Sequence, residues 1–189
     1  MKSAFHPKPL RYPQSWSELP GGDELKQAIE GVCDDLSQRV FGYNLVKLGN
    51  LSSEIKLPGC AIRNQVVQTQ VATEASSLIS NSDKLPYIEN SIDGFLLANE
   101  LDFARDPHEI LREVDRTITA NGYVIISGFN PYSLTGLARF LPIKKGNILH
   151  QARFFSAGRI KDWLQLLGFE IVEHRHILFS MLFASHHKG

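Results

Sequence analysis

Residues 85–127 read LPYIENSIDGFLLANELDFARDPHEILREVDRTITANGYVIIS. SIDGFLLAN (91–99) is a short, mostly apolar run, the pattern of a strand buried on both faces. Asp106 is a good N-cap, Pro107 suits the first helical position, and Glu109 stands where it completes a capping box. Ile110, Leu111, Val114 and Ile118 then make one apolar stripe. Asn121-Gly122 predicts the end of that helix, and YVIIS (123–127) a second buried strand. Strand, helix, strand is the repeating unit of a parallel α/β sheet. Such sheets hold ligands beyond the carboxyl ends of their strands.

The flanking sequence continues the alternation. Leu25, Ile29, Val32, Leu36 and Val40 predict a helix from Asp23, with Gly42 as its stop. YNLVKLG (43–49) reads as a strand, and two more fall near 61–69 and 75–80. A last helix spans about 156–167, with Ile160, Trp163, Leu164 and Leu167 inward and Gly168 as its stop. FEIVEHRHI (169–177) alternates like a strand open to water on one side. Residues 1–21, with Pro7, Pro9 and Pro13, read as an extended surface segment, and 22–189 as one domain.

The totals exclude several functions. The 189 residues carry 20 Lys plus Arg against 20 Asp plus Glu, so no global basic field attracts nucleic acid or an anionic membrane. PIKKGN (142–147) is too small for a nucleic-acid footprint. The longest apolar candidate, ILFSMLFASHH (177–187), is about half of a membrane span. The N-terminus lacks the apolar run of a signal peptide. Cys33 and Cys60 form no CxxC pair, which fits a reducing cytoplasm. His174, His176, His186 and His187 have no third ligand at recognisable spacing, so no metal site is expected.

Residues 85–127 resemble the second half of a class I S-adenosylmethionine-dependent methyltransferase, of the small-molecule branch that includes the ubiquinone and menaquinone enzymes. The matching residues are Leu85-Pro86-Tyr87, Ser91-Ile92-Asp93, Asp106-Pro107, Leu111-Arg112-Glu113-Val114, Arg116 and Asn121-Gly122. The resemblance extends over about 43–178 and is densest from 81 on. It implies a Rossmann-like α/β fold with a mostly parallel sheet and S-adenosylmethionine as cofactor. Most of these matches are scaffold, which a protein could keep while binding nothing.

The cofactor turn departs from that family. Members carry an acidic residue, then G-x-G-x-G after the first strand, because glycines let backbone approach the ligand. Here Lys47 stands at the acidic position, Gly49 matches the first glycine, and Leu51 and Ser53 replace the others. From Gly49 to Cys60, with Pro58-Gly59 inside, there is hardly room for a turn and a full helix, so the first half is contracted. No acid clearly ends the second strand, and Glu74 comes late. Two readings stand. Either the turn still accepts the cofactor, with Asn50 or Ser52 adding polar contacts, or it is vestigial.

By resemblance, Asn81 and Ser82 fall where the family contacts adenine, and Ala98 and Asn99 end the fourth strand beneath the sulfonium. Gly49, Asn50, Leu51, Asn81, Ser82, Ala98 and Asn99 are therefore the expected cofactor residues. For the acceptor pocket the candidates are Glu100, Phe129, Asn130 and Tyr132. Glu100 and Asp102 are the carboxylates placed to act as a base, although a carboxylate in a solvated loop looks the same in sequence. The family's histidine is replaced by Phe103. Asn130-Pro131-Tyr132 is one proline short of a nucleic-acid methylase motif. FSMLFASHHKG (179–189) stops where a closing strand is expected to begin or be half built, so that either the chain is truncated there or the last strand is incomplete and leaves an edge that a second copy in a homodimer would cover. The leading expectation is a methyltransferase acting on a small molecule. The alternative is a non-catalytic protein of the same fold that binds a partner or another ligand.

Overall fold

The computed structural model describes residues 11–129, 148 and 151–175. Their elements run, after a single 3-10 turn at Trp16–Glu18, as α1 (Gly22–Ser37), β1 (Asn44–Leu48), α2 (Asn50–Ser53), β2 (Asn64–Thr69), β3 (Leu78–Ile79), β4 (Ile92–Ala98), α3 (Glu100–Phe103), α4 (Pro107–Thr117), β5 (Ile118–Ser127) and α5 (Ala157–Leu166). The strands form one sheet in the order β3-β2-β1-β4-β5, every pair parallel. This is the Rossmann-like α/β architecture expected from the sequence.

Alternation along the two central strands sends side chains into two cores. Leu45, Leu96 and Ala98 join Ile29 and Cys33 of α1 on one face. Val46, Leu48, Phe95 and Leu97 join Ile110, Leu111 and Val114 of α4 and Trp163 of α5 on the other. The central apolar side chains of β1 and β4 are wholly buried, each worth roughly 1.5–3 kcal/mol by area. The contraction of the first half is real. A single turn, α2, stands where a crossover helix would be.

Asp106 caps α4 as expected, accepting from the N–H groups of His108 (2.9 Å) and Glu109 (3.4 Å). Its end differs. The helix stops at Thr117, and Ile118 turns extended to pair with Ile92. Gly122 is needed for packing, since a Cβ there would lie 2.4 Å from Ile118 and 3.1 Å from the Asp93 carbonyl. Gly42 is likewise no helix stop. It has φ +143°, and a Cβ would strike Asp93, whose carboxylate accepts from the N–H groups of Tyr43 and Asn44 and so fixes the entry to β1. The strand expected over 169–177 is absent from its described part, 169–175. That stretch is held by ion pairs instead, Arg175 with Asp35 of α1 and Glu173 with Arg39 just past the end of α1. The stretch 179–189 lies outside the described residues.

The N-terminal segment is not only surface wrapping. Trp16 is fully buried and its indole N–H donates to the Leu51 carbonyl at 2.9 Å. The backbone N–H of Arg11 donates to Gln151. Residues 11–19 therefore cross over α2 towards the end of the sheet where β1 and β4 finish.

Candidate functional site

Two unusual turns sit side by side at the carboxyl ends of β1 and β4. Gly49 leaves β1 with φ +96° and ψ 161°, a conformation essentially confined to glycine. Asn99 leaves β4 in the left-handed region at φ +53°, which an asparagine tolerates through local hydrogen bonds. Its amide donates to Asp102 (3.0 Å), and its carbonyl oxygen accepts from the Ser127 hydroxyl (2.9 Å). Between the turns projects Glu100, the first residue of α3, only 3% exposed. A Cβ on Gly49 would lie 1.9 Å from Glu100 Oε2.

Glu100 is a buried carboxylate without a basic partner among the described residues. The Ser82 hydroxyl donates to it at 2.5 Å, and the Gln70 side chain is a second hydrogen-bond partner. Burial pushes its carboxyl up to about 7, and these two bonds only partly oppose that. Tyr12, from the N-terminal segment, packs beside it. Burial raises the phenol well above its usual value, and the negative charge of Glu100 raises it further. Gln68 Oε1 and Asp102 Oδ1 are buried with no hydrogen-bond partner. Asp102 accepts on its other oxygen from the Phe129 N–H (3.0 Å), and burial raises its carboxyl well above the carboxylate range. The end of the sheet thus presents a surplus of buried acceptor oxygens.

The expected residues divide sharply. Gly49, Ser82 and Glu100 come together, so the Glu100 carboxylate sits with the cofactor candidates rather than beside Phe129. Asn81 is exposed at the rim, its carbonyl closing a turn with Lys84. Asn50 has its amide committed to protein, bonding the backbone of Gln70 and Val71. Ser52 is committed as well, since its oxygen accepts from the Ala98 N–H at 2.8 Å. Leu51 and the Ala98 side chain belong to the core beneath. Phe129 is buried, edge-on to Phe103 and Phe154. It also lines a cavity of about 1090 Å³ that runs along β5 between α1 and α5, away from the Gly49 turn. Asn130 and Tyr132 lie outside the described residues.

Lys47 does not face Glu100. Its charge interacts with Cys60 and with Glu30 of α1, and burial lowers its ammonium. Sequence reasoning missed Tyr12 and Gln70. Gln70 directly follows β2, where an acid was sought, and a neutral amide gave no signal there. Among the described residues, no group of three or more His, Cys, Asp or Glu could hold a metal ion. No described helix is long and apolar enough to cross a membrane.

A parallel sheet in this order, with a glycine turn leaving β1, defines the Rossmann-like methyltransferase fold. Residues 54–126 match the family described as "Methyltransferase domain", a match that begins past the Gly49 turn. The uncharacterized protein YafS of Escherichia coli K12 is 36% identical over 174 residues, covering 91% of this chain and 71% of YafS. The chain belongs to the family of YafS. Among solved structures, a SAM-dependent methyltransferase from Thermotoga maritima superposes with TM-score 0.54 at 18% identity, covering 79% of this chain and 76% of that one. A SAM-dependent methyltransferase from Leishmania major gives 0.59 at 13%, covering 84% and 72%. At these identities the likeness concerns the fold.

S-adenosylmethionine is the cofactor that this domain and fold imply. The residues present fit it. A Cβ at Gly49 would collide with the Glu100 carboxylate, and Gln68, whose backbone carbonyl accepts from the Gly49 N–H, keeps a buried Oε1 without a donor, an acceptor surplus that suits a ligand rich in donors and positive charge.

Proposed function

We propose that this protein is an S-adenosylmethionine-dependent methyltransferase acting on a small molecule. The Gly49 turn carries the reading. It leaves the carboxyl end of β1 in a conformation essentially confined to glycine, at the end of the sheet where open α/β folds place ligands. Gly49 would hold the cofactor through its bare backbone, and Asn81 and Ser82 would contact its adenine side. The turn backbones of Asn50, Leu51, Ala98 and Asn99 would frame the remainder. The bound cofactor supplies an electrophilic methyl group. The chain's own contribution is to hold the acceptor in line and exclude water. By the family resemblance Phe129 would belong to the acceptor side, together with Asn130 and Tyr132 of the stretch outside the described residues, a mixture that suits an apolar pocket with a few polar groups. No residue is assigned as a base.

The ubiquinone-like branch, a cytoplasmic location and a homodimer complete the proposal. Two free, buried cysteines, Cys33 and Cys60, support the location. A non-catalytic protein of the same fold is the second reading. In its favour, Glu100, Ser82, Gln70 and Tyr12 already interact with one another beside that turn.

Calorimetric titration with S-adenosylhomocysteine separates the two, since this product needs no acceptor. The methyltransferase reading expects one site of micromolar affinity, weakened about three- to tenfold in Asn81→Ala, which removes a rim hydrogen bond. Absence of binding up to millimolar concentration in a folded sample would establish the second reading.

A further inference from the structure

We propose that Arg153 and Arg159 build a phosphate-binding site on the acceptor side of the sheet end, so that the methyl acceptor is a phosphorylated small molecule. The proposal rests on the methyltransferase reading and names the class of its substrate. From Arg116 to Lys161 the sequence holds seven Lys or Arg and no Asp or Glu, in a chain whose totals of the two are equal. The neutral total therefore hides one basic stretch. The fold adds to it, because the start of α4 carries His108 and Arg112 to the start of α5. Burial lowers the His108 imidazole, and against the charge of Asp106 those of Arg112 and Arg159 lower it further. Burial lowers the Arg153 guanidinium too, and Arg159 adds to that. Like charges gathered in this way raise the local concentration of an anion.

The guanidiniums are laid on aromatic rings. Arg153 lies over Phe155 at 5.1 Å, and Arg159 over Trp163 at 5.1 Å and over Phe155 at 5.5 Å. His108 packs on the same Trp163 at 4.3 Å. A guanidinium held flat on a ring loses less freedom on binding, and its fork of N–H groups matches the paired oxygens of a phosphate. Asp106 is the acid whose charge reaches both His108 and Arg153, and its Oδ1 is already engaged by the N–H groups of His108 and Glu109. Phe155 and Trp163 are buried, so they back the guanidiniums and offer no open face on which bases could stack. This favours a small phosphate ester over a nucleic acid. The Arg153 N–H donates to the Asp102 carbonyl at 2.6 Å, which sets the pair beside α3, just past the carboxyl end of β4. The next residue, Phe154, is partly exposed and lies edge-on to Phe129 at 5.9 Å. An acceptor whose body rests on Phe154 would thus bring its phosphate to Arg153 and Arg159.

Inorganic pyrophosphate is the probe, titrated calorimetrically into the full chain with and without saturating S-adenosylhomocysteine. Wild type should take up one pyrophosphate equally well in both conditions, since acceptor and cofactor occupy neighbouring sites. Arg159→Gln should weaken it about tenfold or more, and Arg159→Lys should recover only a small part of the loss, because an ammonium lacks the planar fork and the stacking. Both variants should bind S-adenosylhomocysteine within about threefold of wild type, which also shows that they are folded. Wild-type affinity in Arg159→Lys would overturn the site in favour of diffuse charge. Absence of pyrophosphate binding at millimolar concentration would overturn it too, as would displacement by S-adenosylhomocysteine, which puts the anion in the cofactor site. A single-stranded RNA that binds more tightly than pyrophosphate and depends on Arg159 would replace the small phosphate ester by a nucleic acid. Pyrophosphate binding in a protein that binds no S-adenosylhomocysteine would refute the methyltransferase reading and with it the acceptor role, whereas S-adenosylhomocysteine binding without pyrophosphate binding would refute this inference alone.

Discussion

Glu100 and Gly49 are mutually exclusive with a side chain between them. The carboxylate of one occupies the space that a Cβ on the other would need, at 1.9 Å. The lone glycine of an otherwise altered turn therefore has two independent reasons to be glycine, the approach of Glu100 and a backbone at φ +96°.

These reasons can be separated. Gly49→Ala should destabilise the protein by about 1–3 kcal/mol, the usual cost of holding a side chain in that region. Adding Glu100→Ala removes the steric contact and leaves the backbone strain. Urea denaturation should therefore show the double variant still destabilised by Gly49→Ala, though by less. Full recovery in the double variant would mean that the backbone relaxes and only the contact matters.

Stability should fall as pH rises through the acid range. The Glu100 carboxyl is raised from its ordinary 4.5 to about 7, and Asp102 is raised too. Between those pH values the folded protein binds a proton that the unfolded chain has lost, so rising pH favours unfolding, and the loss levels off above about 7. For Glu100 the difference is on the order of 3 kcal/mol at pH 8. Glu100→Gln should raise Tm at pH 8, change it little at pH 4, and flatten part of the slope, with Asp102 supplying the remainder. A variant profile parallel to wild type would show that the Glu100 carboxyl titrates alike in the folded and unfolded chain.

Trp16 should matter more than its place in a proline-rich leader suggests. Trp16→Phe keeps most of the apolar volume and strands the buried Leu51 carbonyl, at about 1–3 kcal/mol. Trp16→Ala should cost about 3–5 kcal/mol. Denaturation of both variants checks the order. Two neutral outcomes would mean that residues 11–19 do not dock in solution.

The LPY segment should loosen when α4 loses one carboxylate. Glu113 accepts from the Leu85 N–H (2.9 Å) and holds Arg116, whose guanidinium donates to the carbonyls of Leu85 and Tyr87 at 3.0 Å each. Glu113→Ala should speed amide exchange at Leu85 while the amides inside β4 keep their protection. Unchanged exchange at Leu85 would show that packing alone holds the segment.

The same contacts explain what the sequence disclosed. The cap at Asp106-Pro107 was legible because donor and acceptor lie within three residues. The run of matches from Leu85 to Arg116 was legible as a family pattern, whereas the network that joins its ends, 28 to 31 residues apart, was not. Gly42 and Gly122 were misread as helix stops because what forbids their side chains shows only in the fold, Asp93 for the first and, for the second, Ile118 four residues back together with the Asp93 carbonyl. The end of α4 was misplaced because Ile118 continues the helical stripe yet pairs with Ile92. Gly49 and Ser82, both named from the sequence, lie beside Glu100, whose burial the sequence did not disclose. A carboxylate in a loop and one inside the sheet look alike until Ser82, Gln70 and Tyr12 are brought around it. Trp16 was hidden for the same reason, its partner being 35 residues away.

A crystal structure grown with S-adenosylhomocysteine tests the central claim most directly. We expect ligand density against the Gly49 backbone, with the adenine near Ser82 and the rim at Asn81. A bare Gly49 turn at saturating ligand, with Glu100 still bonded to Ser82 and resting on Gly49, would contradict it, as would density bound elsewhere on the molecule.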